Sequence, residues 1–252
     1  MNALDDEFEK LKREHQPFPQ RTKQTYKCEK CKDSGWIVRD DERGCSHSKR
    51  CDCWAIREAK RITENSGIST EFQGKGFNDY DTKGNEQLEH AKNKAIEYFR
   101  QFQKVEHTRR NSIMFCGQVG SGKTHLGTAI CSNLMNLNIP VVYMAYRNTI
   151  TRLKQKIVDE KEYDKDISQY IKARVLYIDD LLKGKITESD INIMYEIVNY
   201  RYMNNLPIIL STEKSLEELL NFDEAIGSRI LEMCRGNIVI LQGRELNYRL
   251  SS

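Results

Sequence analysis

The segment Gly117-Gln118-Val119-Gly120-Ser121-Gly122-Lys123-Thr124 constrains this chain more than any other. It matches G-x-x-x-x-G-K-[ST] in full, follows the apolar run Ile113-Met114-Phe115, and opens a helical pattern near Lys123. A strand that turns through such a loop into a helix aims successive backbone N–H groups inward and adds the positive end of the helix dipole. That arrangement suits a polyphosphate. Lys123 is expected to neutralise the β- and γ-oxygens and Thr124 to ligate Mg²⁺ through its hydroxyl, with His125 counted beside them as a nucleotide-contacting residue. ATP or ADP with Mg²⁺ is therefore the expected cofactor.

Five short β-like runs, at 112–115, 140–145, 175–178, 207–210 and 238–241, alternate with helical stretches. This is the pattern of an α/β fold, a parallel five-stranded sheet covered on both faces. The third run ends in Asp179-Asp180. Adjacent carboxylates after four apolar residues are poor strand chemistry unless a cation or a water requires them. Asp179 is expected to hold Mg²⁺ indirectly and Asp180 to polarise the attacking water, which with Lys123 makes a set for hydrolysing a γ-phosphate.

Of eight cysteines, Cys28, Cys31, Cys45, Cys51 and Cys53 lie in the first quarter of the chain. Cys28-x₂-Cys31 and Cys51-x-Cys53 can close a tetrahedron around a structural Zn²⁺, with Cys45 and His47 as competing ligands. Cys116, Cys131 and Cys234 sit in apolar stretches and read as buried thiols. Leu4, Phe8 and Leu11 have helical spacing over 3–15, either packing on their own domain or presenting a stripe to a partner, and Pro17 and Pro19 stop that helix. A charged helix is expected over 56–65, and Gly67, Gly74, Gly76 and Gly84 mark a lead-in. The resulting division is an N-terminal helix and zinc module at 1–65, a linker at 66–85 and an ATPase domain at 86–252.

With 40 Lys and Arg against 37 Asp and Glu, no overall field marks a nucleic-acid coat, so any DNA contact has to come from a local patch. Mean hydropathy is −0.69, and no apolar run approaches the roughly 20 residues that span a bilayer. The acidic start of the chain lacks the basic and apolar regions of a signal peptide, which leads to the expectation of a cytoplasmic protein with no membrane partner.

Taken together, the motifs over 70–252 resemble the AAA+ ATPases, and among them the DnaC/DnaI-type replicative helicase loaders. The resemblance implies a sensor-1 strand between the two strands that carry the phosphate loop and the acidic pair. Here that strand ends Leu210-Ser211-Thr212-Glu213, with Glu213, next to Thr212, where the family usually has Asn. Gly227-Ser228-Arg229-Ile230 resembles the segment whose arginine reaches a neighbouring subunit's ATP, which implies catalysis by Arg229 in trans and a ring or spiral homo-oligomer. Only 242–252 follow the last strand, so the helical lid of most AAA+ proteins is expected to be absent, as in the loaders, and Arg249 in Asn247-Tyr248-Arg249 is a sensor-2 candidate. Many relatives carry Glu at the place of Asp180, so intrinsic hydrolysis is expected to be slow. The clade's extra helix before the acidic strand contacts single-stranded DNA, and Arg147, Arg152, Lys154 and Lys156 fall there. C-x₂-C with C-x-C resembles the N-terminal modules of phage helicase loaders, favouring Cys28, Cys31, Cys51 and Cys53 as the zinc set. The implied function is ATP-dependent loading of a hexameric replicative helicase onto single-stranded DNA at replication initiation, in a bacterial or phage-infected cell. Two alternatives stay open: an IstB-like transposition helper ATPase, and an adaptor switched by ATP with little hydrolysis.

Overall fold

A computed structural model describes residues 26–64 and 75–250. The expected helix over 3–15 lies outside the described residues. The chain divides into two compact units at Asp52/Cys53.

In the smaller unit, β1 (Trp36–Asp40) and β2 (Ser46–Arg50) form an antiparallel hairpin in register from Trp36 opposite Arg50 to Asp40 opposite Ser46. The Asp41 carboxylate makes the turn by accepting N–H bonds from Arg43 at 2.9 Å and Cys45 at 2.8 Å. Nearly every hairpin residue is exposed, so these strands have no apolar core of their own.

The larger unit is a parallel sheet in the order β4-β5-β6-β3-β7. Its strands are β3 (Ile113–Gly117), β4 (Val141–Ala145), β5 (Val175–Leu181), β6 (Ile208–Thr212) and β7 (Ile238–Leu241). The three inner strands are buried without alternation because both faces are covered. The helices are α1 (Cys53–Glu64), α2 (Glu86–Val105), α3 (Lys123–Asn136), α4 (Tyr146–Lys156), α5 (Glu160–Ile171), α6 (Glu188–Met203), α7 (Leu216–Phe222) and α8 (Glu224–Met233). On one face, Leu88, Tyr98 and Phe102 of α2 and Leu126, Ile130 and Leu134 of α3 cover Phe115, Tyr177 and Val239. On the other, α4, α5, α6 and α8 bury Leu153, Ile167, Ile197 and Ile230 over Met114, Met144, Ile178 and Leu210. The Asn85 side chain caps α2 by accepting from the N–H groups of Gln87 and Leu88.

Several boundaries differ from the sequence reading. β5 continues through Asp179 and Asp180 to Leu181, with a register irregularity against β6 between Ile178 and Leu181, so the acidic pair is part of the strand. Two helices, α7 and α8, fill the connection to β7 where one was expected, hinged at Asp223, which ends the first and caps the second. The charged helix begins at Cys53 and groups with the larger unit, ahead of the linker expected at 66–85. The physical reason is Ala59, which is 2% exposed and packs in the same core as Val142 and Met144, with α1 lying alongside β4.

Arg201 of α6 is fully buried. Its guanidinium donates to the carbonyls of Tyr170 (2.8 Å), Ala173 (2.9 Å) and Pro207 (2.6 Å), joining the end of α5 to the starts of β5 and β6. Arg201→Met should leave these carbonyls unsatisfied and cost about 3 kcal/mol or more. Urea unfolding of the nucleotide-free protein checks this, and a loss below about 1 kcal/mol would contradict it.

Candidate nucleotide site and cysteine cluster

The loop after β3 takes the shape its glycines permit. Gly122, the N-cap of α3, has φ +81°, and a Cβ there would lie 2.6 Å from a ring carbon of Tyr80. The Tyr80 hydroxyl donates to the Ser121 carbonyl at 3.2 Å. Lys123 is 5% exposed, and its ammonium donates back to the carbonyls of Gly117 (2.8 Å) and Gln118 (2.5 Å). Burial depresses its pKa, while Glu213 and Asp180 oppose that shift. A buried ammonium held by neutral carbonyls is ready to exchange them for phosphate oxygens, a stronger charge-assisted pairing. Val119 is exposed, and Ser121 donates within the loop to the Gln118 carbonyl at 2.9 Å. His125 meets the Gly76 carbonyl at 3.1 Å and stands edge-on to Tyr80 at 5.3 Å, so it ties the lead-in segment to α3.

Asp179 is 8% exposed and accepts bonds from four hydroxyls. Thr124 (3.1 Å), Tyr177 (2.8 Å) and Ser211 (2.5 Å) reach one oxygen, and Tyr143 (2.8 Å) the other. Burial first, then the Asp179 charge, pushes the Tyr143 and Tyr177 phenols far above the usual range, so both remain donors. A threonine hydroxyl touching a carboxylate below a phosphate loop is a hard-oxygen pair that fits Mg²⁺ carried by a nucleotide. Asp180 has φ +56°, its N–H donates to the Ser211 hydroxyl at 2.9 Å, and its carboxylate pairs with Lys183 at 2.7 Å. Lys183 also pairs with Glu213 at 3.1 Å.

The sequence reading missed Ser211, Tyr143, Tyr177, Lys183 and Tyr80. Thr212, singled out instead of Ser211, spends its hydroxyl on the Leu181 carbonyl at 2.8 Å and is fully buried. A signal for Tyr177 was available, since it stands two residues before Asp179 and shares its face of the strand. Tyr143 lies opposite Tyr177 in the β4–β5 register.

Arg229 of α8 donates to the Ala225 carbonyl at 2.7 Å and lies 5.5 Å from the rings of Tyr195 and Tyr202. It makes no hydrogen bond to the loop or the acidic pair among the described residues. The Arg249 N–H donates to Asn247, and the Tyr248 N–H donates to the Gly120 carbonyl at 3.1 Å, laying the tail against the loop. On α4, Arg147 donates to the Lys185 carbonyl at 3.0 Å. Arg152 meets Asp166 at 3.5 Å, Lys154 meets Asp190 at 2.7 Å, and Lys156 meets Asp166 at 2.9 Å. Arg152, Lys154 and Lys156 therefore face carboxylates on α5 and α6.

The sulfurs of Cys28, Cys31, Cys51 and Cys53 all lie within 4.8 Å of one another, with Cys28 and Cys51 3.8 Å apart. A tetrahedral Zn²⁺ with Zn–S bonds of about 2.3 Å sets its sulfurs about 3.8 Å apart, so the cluster fits such an ion. The Asp33 carboxylate accepts the N–H groups of Lys27 and Cys28, both at 3.0 Å, and shapes the first knuckle. Cys45 is exposed and His47 pairs with Asp41 at 3.0 Å, and neither belongs to the cluster.

A parallel sheet in which β6 separates the loop-bearing β3 from the acidic β5, with Lys123 and Thr124 at the head of α3, defines an AAA+ P-loop domain. The chain belongs to the family of IstB-like ATP binding proteins, which it matches over residues 52–251. It is 39% identical over 235 residues to phage-like element PBSX protein XkdC of Bacillus subtilis, covering 89% of this chain and 86% of that protein. It is 26% identical over 182 residues to the replicative helicase loader DnaC of Escherichia coli K12, covering 70% of this chain and 69% of DnaC. The crystal structure of the DnaC helicase loader superposes with a TM-score of 0.60 at 21% identity, over 69% of this chain and 99% of that one, and shares the fold. No described helix is long and apolar enough to cross a membrane.

Gly122→Ala forces a side chain into left-handed backbone against Tyr80. It should weaken ADP binding at least about tenfold, an effect of about 1.4 kcal/mol, with the fold retained by circular dichroism. Affinity unchanged in a fluorescent-nucleotide titration would refute this account of the loop.

Proposed function

We propose that this protein is an ATP-hydrolysing loader that places a hexameric replicative helicase on single-stranded DNA. The Thr124–Asp179 contact beneath a loop whose lysine rests on exchangeable carbonyls is the observation that carries the ATP-dependent part. The relationship to DnaC supports the loading role. In this reading Lys123 leaves the Gly117 and Gln118 carbonyls for the β/γ-oxygens, and Thr124 and Asp179 hold Mg²⁺, Asp179 indirectly. The metal supplies neutralisation of phosphate charge. Asp180 accepts a hydrogen bond from the attacking water. Arg229, beside two tyrosines and with no hydrogen bond to its own loop among the described residues, acts on the nucleotide of a neighbouring copy in a ring or spiral, where such a cation can be worth roughly 10³–10⁵ in rate. Arg152, Lys154 and Lys156 exchange their carboxylate partners, and Arg147 its carbonyl partner, for DNA phosphates, a salt-sensitive and sequence-independent interaction. The N-terminal region at 1–65, with one Zn²⁺ on Cys28, Cys31, Cys51 and Cys53, is the helicase-gripping module. The ATP-switched adaptor is a second reading, favoured by one observation, the engagement of the Asp180 carboxylate by Lys183.

Loading is tested by depositing the cell's replicative helicase on closed circular single-stranded DNA with ATP. Deposition should require this protein, fail with Lys123→Ala, and be lost together with zinc in Cys51→Ser while Cys45→Ser keeps both. Capture of a transposase and duplex DNA without the helicase would favour the transposition helper.

Mixing variants tests the shared site. Arg229→Ala should bind ATP normally yet lose stimulated turnover, and Asp180→Asn should keep a working arginine beside a crippled pocket. Their mixture should recover activity with a maximum at intermediate ratios. Full activity of Arg229→Ala alone would remove the trans role.

A further inference from the structure

Lys183 has no assigned role above, although it touches Asp180 directly. The turn after β5 is built from left-handed backbone, with φ +56° at Asp180, +63° at Leu182 and +92° at Gly184. Such angles are costly at non-glycine residues, above all bulky ones, and persist where surrounding contacts impose them. Leu182 is 1% exposed, so its buried side chain pins the turn. The Thr212 hydroxyl grips the Leu181 carbonyl at 2.8 Å from β6, and the Lys183 N–H closes onto the Asp180 carbonyl at 3.1 Å. The result is a lysine folded back onto the carboxylate three residues before it. Its ammonium is shared by two acids, Asp180 Oδ2 at 2.7 Å and Glu213 Oε1 at 3.1 Å. Chiefly through the Asp180 bond, the lysine is held above its ordinary pKa and stays charged.

We propose that Lys183 is a positioning residue that restrains the Asp180 carboxylate from accepting a hydrogen bond from the attacking water, and that Glu213 is the alternative anchor that takes the ammonium when Asp180 turns to the water. This rests on the reading of Asp180 as the water-polarising group. An ammonium on Oδ2 occupies a lone pair that a water would use. Glu213 sits at the end of β6, the strand beside β5, and already shares the same ammonium. The exchange therefore needs only side-chain rotation about an ion already bound at both ends. All three side chains are partly exposed, at 48% for Lys183, 34% for Asp180 and 32% for Glu213. The restraint is accordingly that of a solvent-screened pair, and its release should change the rate by roughly two- to fivefold.

The experiment pairs single-turnover ATP hydrolysis with fluorescent-ADP affinity and thermal midpoints. Lys183→Met should raise turnover about two- to fivefold, with ADP affinity and midpoint unchanged, and Lys183→Arg should return the rate toward that of the unaltered protein. Glu213→Gln should lower turnover on its own and have no effect in the Lys183→Met background, a dependence that a merely structural role would not produce. Reduced turnover with weakened ADP binding in Lys183→Met would make the lysine a phosphate ligand and overturn the proposal. Unchanged turnover would overturn it equally. Asp180→Asn separates the two levels: full turnover in that variant removes both the reading of Asp180 and the inference. An inactive Asp180→Asn beside an unaltered Lys183→Met removes the inference alone.

Discussion

The Asp179 carboxylate is the interaction on which the rest of the site depends. A buried charge is tolerable only when hydrogen bonds replace the water it gives up, and here four hydroxyls do so. They come from Thr124 at the head of α3, Tyr143 on β4, Tyr177 on β5 and Ser211 on β6. One side chain therefore fixes three strands and the helix that carries the phosphate loop. Ser211 passes the constraint on, because its oxygen also receives the Asp180 N–H and so sets where the second carboxylate leaves the strand.

The loop has its own support, made from segments distant in sequence. Tyr80 presses on Gly122 and donates to Ser121, while Asn247 and Tyr248 meet Gly120. Tyr248 also stands edge-on to Tyr80 at 6.4 Å and donates its hydroxyl to the Asp81 carbonyl. Stretches on either side of the sheet in sequence are thus closed on one another across the loop. The lead-in and the tail act as one piece of packing around the residues that face a nucleotide.

Much of this was legible in the chain. The loop motif is local, and Ile113-Met114-Phe115 before it and the helix after it are enough to place it. The five apolar runs announced a parallel sheet because buried strands need no alternation. The residues that hold the site were hidden for the opposite reason. Ser211 and Tyr143 matter only through Asp179, which lies far from both in the chain, and serine or tyrosine in an apolar strand reads as ordinary variation, whereas Tyr177 is near enough in sequence to have been found. Apolarity also sets strand ends too early, since β5 runs on through two acids once four hydroxyls satisfy Asp179 and Lys183 pairs with Asp180. The basic residues of α4 were plain to see, but Asp166 and Asp190, which neutralise Arg152, Lys154 and Lys156, come from other helices and appear only on folding. Ala59 was silent because alanine in a charged helix announces no core.

The placement of α1 has a consequence for anyone who would isolate the nucleotide-binding core. Among the described residues β4 is a border strand with only β5 beside it in the sheet, and α1 runs alongside it. Border strands carry unpaired backbone donors and acceptors that template association between molecules, and natural proteins shield them with a helix or a loop. A fragment cut at the glycine-rich lead-in would keep every residue that faces the phosphates yet lose this shield, and would be prone to cling to itself through β4. The helix that begins at the last cysteine of the cluster, Cys53, thus also guards the sheet's edge, which ties the solution behaviour of the core to a segment that takes no part in its chemistry.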